Sequence, residues 1–299
     1  MSAKSTEENL SVISDPSFEK AFRYFCRHLV SLSGWYYSND PNDAEIKGVN
    51  FFAYSGFIFS INNNWFWGTA GHILEGLEFD LKNNSIKVKE CFLVDCFGNE
   101  AISYDPIPFD YENSQKFFVN DIKAGLDIGF IPLSIYYQNL LKANGVIPIQ
   151  EKNWIYQNQV EFSDHYIIIG LPKKLIKIEN HTSLLNKELR AFLLPAMLPI
   201  TRLDKFPNDL LETEYPRFVG KLKDDLSVNY IKGMSGGPII GFNKEKTRYW
   251  IVAIQSSKLD GSDLDRNKIV FACPLPIFAS LVENIIHHFN EKEQGNLPN

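Results

Sequence analysis

The sequence predicts an all-β fold with helices added at both ends. Between residues 49 and 275, apolar residues come in short runs of strand length, separated by Asn, Asp, Gly and Pro turn signals. The runs fall into two β blocks of roughly 110 residues each, the pattern of paired sandwiches or barrels. Helical apolar spacing is confined to stretches near the two ends.

The 299 residues amount to one or two domains at about 150 residues each. With 44% apolar and 22% charged residues, the composition is that of a globular chain, long enough to bury a core without disulfide staples. A net charge of −6 gives no general attraction for phosphate backbones, which argues against nucleic acid as the main partner. The N-terminus lacks the apolar core of a secretory signal. No stretch reaches the roughly 18 uninterrupted apolar residues of a membrane span. Four cysteines, Cys26, Cys91, Cys96 and Cys273, are too few for a disulfide framework and are expected to be reduced, packed thiols. A cytoplasmic location is expected.

Residues 1–48 comprise a polar N-terminus and an amphipathic helix. Asp15-Pro16 is a helix start, and Phe18, Phe22, Phe25, Cys26 and Leu29 follow at helical spacing to about Leu32. Ser38–Lys47 reads as a loop. Residues 49–158 form the first β block, with strands expected at Val49–Ile61, Trp65–Gly71, Ile86–Asp95 and Asp127–Leu133. Asn62-Asn63-Asn64 is a hairpin signal. Asn144–Asn158 reads as a connector. Residues 159–275 form the second block, with strands at His165–Gly170, Ala191–Met197, Gly237–Gly241, Trp250–Ser256 and Ile269–Cys273. Lys173–Asn229 is long, charged and mixed. Residues 276–299 hold a C-terminal helix with Phe278, Leu281, Val282, Ile285 and Phe289 on one face, then a tail. Both terminal helices are expected to pack on the β blocks, since neither polar face is rich in Lys or Arg.

Three motifs carry chemistry: Thr69-Ala70-Gly71-His72 after an apolar strand, Asp127 opening the strand Ile128–Leu133, and Gly233-Met234-Ser235-Gly236-Gly237-Pro238. Taken singly, each has an ordinary explanation: a packed histidine, a turn aspartate, a flexible glycine turn. Together, in the order His, Asp, Ser and at strand ends where loops meet, they form the constellation of a nucleophilic site. A serine hydroxyl needs an adjacent base, histidine can take and return the proton, and a carboxylate fixes the histidine tautomer. Glycines around Ser235 let the backbone bend so that the Gly233 and Ser235 N–H groups converge on an oxyanion.

These motifs resemble those of the trypsin/chymotrypsin-like serine peptidases, nearest to the bacterial intracellular branch that includes the high-temperature-requirement proteases. Softer matches are Tyr54-Ser55-Gly56-Phe57, Gly170-Leu171-Pro172 and Phe271-Ala272-Cys273-Pro274. The resemblance spans roughly residues 49–275 and implies two antiparallel six-stranded barrels with the site between them. By the same resemblance His72 is the general base, Asp127 the orienting acid and Ser235 the nucleophile. Met234 stands where digestive relatives carry an aspartate that pairs with a newly cut N-terminus, so that activation switch is not expected. No peptide-binding module is expected after the core, unlike in the high-temperature-requirement proteases.

Asn229 aligns with the base of the primary pocket, where a neutral residue gives no support for a Lys or Arg preference. Gln255, Ser256, Ser257 and Lys258 align with the strand that holds the substrate backbone, so a protein or peptide substrate is expected to bind as an added strand. His28, His165, His181, His287 and His288 have no partners at metal-ligand spacing, and neither a metal nor a cofactor is expected. The reading is an intracellular serine endopeptidase. Beside it stand a catalytically silent peptide-binding module on the same fold, and a latent protease freed by a regulatory protein partner in a bacterial stress or anti-phage response.

Overall fold

The computed structural model describes residues 16–39, 49–95, 97, 105–154, 163–182, 187–204, 213–223, 231–243, 248–258, 268–275 and 282. The expected N-terminal tail, the loop at 40–48, Cys96 and Asn229 lie outside them. So does the C-terminal helix, apart from Val282.

The second β block closes into a barrel of six antiparallel strands, β9 (His165–Gly170), β12 (Ala196–Arg202), β13 (Phe218–Leu222), β16 (Ile269–Pro274), β15 (Tyr249–Lys258) and β14 (Pro238–Phe242), in that order around the ring. Alternation explains the unbroken apolar run in β9. Tyr166 and Ile168 point into the barrel with Ile200, Phe218, Met234, Val252 and Val270, while Ile167 and Ile169 face the other half of the molecule. Lys173–Asn229 is therefore not a single appended loop. It supplies two barrel strands, β12 and β13, and a two-stranded ribbon, β10 (Ile176–Thr182) with β11 (Lys187–Leu193), outside the barrel. The single strand expected at Ala191–Met197 is the junction of β11 and β12.

The first block differs from the expected six-stranded ring. Together with a strand from the region before residue 49, it forms two four-stranded sheets. One has the order β2 (Val49–Tyr54), β1 (Ser31–Ser38), β5 (Ile86–Val94), β6 (Ile107–Pro108). The other has the order β3 (Phe57–Ile61), β4 (Asn64–Thr69), β8 (Leu126–Pro132), β7 (Phe117–Asp121). They pack around Leu32, Ile58, Trp67, Leu93 and Ile131. The run expected as one strand, Val49–Ile61, breaks at Ser55-Gly56, where the chain passes from one sheet to the other. Only glycine fits there, since a Cβ on Gly56 would lie 2.4 Å from the Trp67 ring. The Asn62-Asn63 turn has φ of 49° and 65°, the left-handed pair of a tight hairpin, as its asparagines predict.

Helix α1 (Pro16–Cys26) ends before the Leu32 expected from spacing, because Ser31 onward pairs with β2 and β5 as strand β1. Two helices not read from the sequence, α2 (Gly71–Lys82) and α3 (Ile135–Ala143), follow β4 and β8. Phe25, Cys26 and Leu29 from the α1 region join Phe57, Phe59, Ile128 and Phe130 with Ile167, Ile169, Ile240, Ile254 and Val282 in a core shared by both halves. Cys26, Cys91 and Cys273 are free and buried, and burial pushes each thiol up to about 12. Among the described residues no helix is long and apolar enough to cross a membrane.

Candidate active site

Strand β4 ends at Thr69, and α2 starts at Gly71 after an Ala70 cap that makes no side-chain hydrogen bond. The first N–H groups of a helix lack partners within it. Here the missing acceptor comes from strand β8: the His72 N–H donates to Asp127 Oδ1 at 2.8 Å. The other carboxylate oxygen, Oδ2, lies 2.7 Å from His72 Nδ1. A carboxylate only accepts, so Nδ1 carries a proton, and in the neutral ring the lone pair is then on Nε2. Both oxygens of Asp127 are spent on one residue, fixing the ring and its tautomer. A negative charge at the start of α2 is also favoured by the helix dipole. The His72 side chain is 38% exposed and that of Asp127 is 14% exposed, so the imidazole reaches solvent while the carboxylate is screened behind it.

Ser235 sits in a turn lashed to β15. Gly236 N–H donates to Gln255 O at 2.8 Å, and Gln255 N–H donates to Gly237 O at 2.9 Å. Gly233 and Gly236 have φ of +96° and +88°, a region side chains rarely adopt. A Cβ on Gly236 would lie 2.1 Å from Thr69 Oγ1 and 2.3 Å from Ser55 O. This close approach seats the Ser235 turn on the end of the strand that leads to His72. The Ser235 hydroxyl donates to Ser256 O at 3.2 Å. Among the described residues the N–H groups of Gly233 and Ser235 have no partner.

His72 and Asp127 are thus joined to each other, and the turn holding Gly233 and Ser235 is seated on the end of β4, three residues before His72. The residues expected to line the substrate groove divide. Gln255 is 1% exposed, and its N–H and C=O are both spent on the Ser235 turn, so it supports that turn and is not free to pair with substrate. Ser256 is buried and accepts the Ser235 hydroxyl, while Ser257 is exposed beside a bulge in the β15–β16 ladder. Lys258 pairs through its backbone with Val270. Sequence reading missed Ser55, whose hydroxyl reaches the Gly233 carbonyl at 3.0 Å. Its only sequence signal was its place in Tyr54-Ser55-Gly56-Phe57. Among the described residues no three of His, Cys, Asp and Glu are grouped to hold a metal ion.

No protein-family model matches the chain, and no curated protein matches it either. Solved structures do. The chain is similar to the HtrA-type protease AlgW bound to a decapeptide, at 11% identity and TM-score 0.48 over 90% of this chain and 68% of that one. It is similar to HL collagenase at 12% identity and TM-score 0.49, over 89% and 96% of the two chains. It is also similar to the scabies mite inactivated protease paralogue S-I1, at 15% identity and TM-score 0.48 over 90% and 98%.

Proposed function

We propose that the chain is a serine endopeptidase that cleaves peptide bonds through a covalent acyl-enzyme. The observation that carries the reading is the two-point clasp of His72 by Asp127, at 2.8 and 2.7 Å, which leaves Nε2 free as a base. The Ser235 hydroxyl turns from Ser256 O to Nε2 and attacks the scissile carbonyl as its proton passes to His72. The carbonyl oxygen takes the negative charge and is met by the Gly233 and Ser235 N–H groups. Collapse expels the amine, which takes the proton from His72, and water then repeats the cycle on the acyl group. The substrate lies as an added strand along the exposed Ser257. The ribbon β10–β11, rooted next to Lys173, supports control by a protein partner, because the Lys173 N–H holds the carbonyl of Lys232 at 2.7 Å, one residue before the oxyanion donor Gly233.

A fluorophosphonate probe is expected to label Ser235 in the wild type and to leave Ser235→Ala unlabelled. That variant should lose about 10⁴-fold or more in kcat while remaining folded. His72→Ala should do comparable damage, and the double variant little more, because the groups act as a unit. A folded wild type that binds peptides yet resists the probe and cleaves nothing, with or without a partner, would favour the silent peptide-binding module instead.

A further inference from the structure

The turn Lys232–Gly237 holds its peptide groups by their carbonyls. Lys232 O accepts from the Lys173 N–H at 2.7 Å, Met234 O accepts from the Gly237 N–H at 2.9 Å, and Gly233 O accepts from the Ser55 hydroxyl at 3.0 Å. In a trans peptide the C=O and N–H point in opposite directions, so a tied carbonyl also aims the N–H on its plane. The Lys173 bond turns the Gly233 N–H away from Lys173. The Gly237 bond does the same for the Ser235 N–H. One peptide, Gly233–Met234, separates these two donors, and its orientation sets the angle between them. That peptide is gripped from both sides, by Ser55 at its carbonyl and by Ile231 O, which accepts the Met234 N–H at 2.9 Å. Among the described residues, Ser55 supplies the one tie to the turn's carbonyls that comes from a side chain.

Ser55 is fully buried. Its hydroxyl also accepts the Leu171 N–H at 2.8 Å, and its carbonyl accepts the Thr69 hydroxyl at 2.8 Å. It therefore joins the oxyanion turn, the chain leading to Lys173, and the strand that leads to His72. A hydroxyl is suited to this place because it donates once and accepts at the same time. We propose that Ser55 is a positioning residue, whose hydroxyl keeps the Gly233 and Ser235 N–H groups converged on the oxyanion. The proposal rests on the serine-peptidase reading above.

The test compares wild type with Ser55→Ala and Ser55→Cys. The cysteine fills nearly the same space but is a weak donor, so it separates hydrogen bonding from packing. Converged donors matter only once the oxyanion exists, so Ser55→Ala should lower kcat about 10- to 100-fold with KM within about twofold. Affinity for a peptide aldehyde, whose adduct oxygen sits on the same donors, should weaken by a similar factor, while affinity for the cleaved product peptide holds. Ser55→Cys should show most of the alanine loss. Wild-type kcat in Ser55→Cys would assign Ser55 a packing role and overturn the proposal, as would an alanine variant changed in KM alone. Should Ser55→Ala fail to fold, the kcat and aldehyde affinity of Ser55→Cys decide. A wild type that is inactive and unlabelled at Ser235 overturns the parent reading, and this role with it. An active, labelled wild type with unaffected Ser55 variants overturns this role alone.

Discussion

His28 is 3% exposed, with Tyr24, Phe25 and Tyr249 around its ring. Its Nδ1 donates to Ile147 O at 2.7 Å, and its Nε2 has no partner among the described residues. Burial is the main cause that lowers its pKa to about 4; Arg27 adds to the shift and the Ile147 bond opposes it. The unfolded chain thus binds a proton that the folded chain refuses. Stability from this group is complete above about pH 6.5 and is lost as pH falls toward 4, by at most about 3 kcal/mol. Thermal unfolding should show this decline, and His28→Phe should flatten it; an unchanged slope in the variant would exclude His28 as the source. Asp95 acts in the opposite sense. Burial raises it to about 6, although Asn144 Nδ2 donates to it at 3.0 Å, so its ionised form costs stability above that pH. Asp95→Asn should raise the unfolding midpoint at pH 7.5 by the equivalent of about 1–2 kcal/mol and gain nothing at pH 4. For catalysis, Asp127→Asn should lower kcat by about 10⁴, since the amide offers the wrong partner to Nδ1.

Close backbone approaches govern the elements around the site. The turn carrying Ser235 can sit against β4 only because Gly236 has no side chain and tolerates φ of +88°. Gly236→Ala would drive a methyl into Thr69 and the Ser55 carbonyl, displacing Ser235. It is expected to cost about 2 kcal/mol or more and to abolish probe labelling. Gly71 at the start of α2 is held in the same way, with a Cβ there lying 2.1 Å from Val119 O. The β10–β11 ribbon is different, because it lies outside the barrel and exposes Phe192. Replacing residues 177–192 with a short turn should leave the unfolding midpoint nearly unchanged while shifting kcat/KM by about tenfold, measured with a model peptide. An unaltered kcat/KM would show that the ribbon exerts no control on the site.

On the scale of the whole molecule, the shared core makes the two β blocks one mechanical unit. Phe25 packs edge-on against Phe242 at 5.4 Å and Tyr249 at 5.0 Å, binding α1 to barrel strands β14 and β15. Phe25→Ala should cost about 3–5 kcal/mol. Unfolding followed by circular dichroism and by loss of probe labelling should still coincide in one transition, since neither half has this core to itself. Two separate transitions would show that the halves fold independently.

The sequence by itself determined the β character, the barrel strand at 165–170, those expected at 237–241 and 250–256 to within two residues of their observed bounds, and the Asn62-Asn63 turn, and it singled out His72, Asp127, Gly233 and Ser235 as candidates. These are legible because strand alternation, turn residues and glycine placement act locally, and because three motif residues appear in a chemically meaningful order. Strand β1 was hidden, since Ser31–Ser38 has no clean alternation and is extended only by its pairing with β2 and β5. The split of the first block into two sheets turns on the contact between Gly56 and Trp67, which no local pattern encodes. Tertiary structure also decided that Gln255 supports the Ser235 turn, and that Ser55, 178 residues away from Gly233 in sequence, holds its carbonyl. Residue type fixes what a side chain can donate or accept, but only the folded chain fixes which distant backbone group it meets.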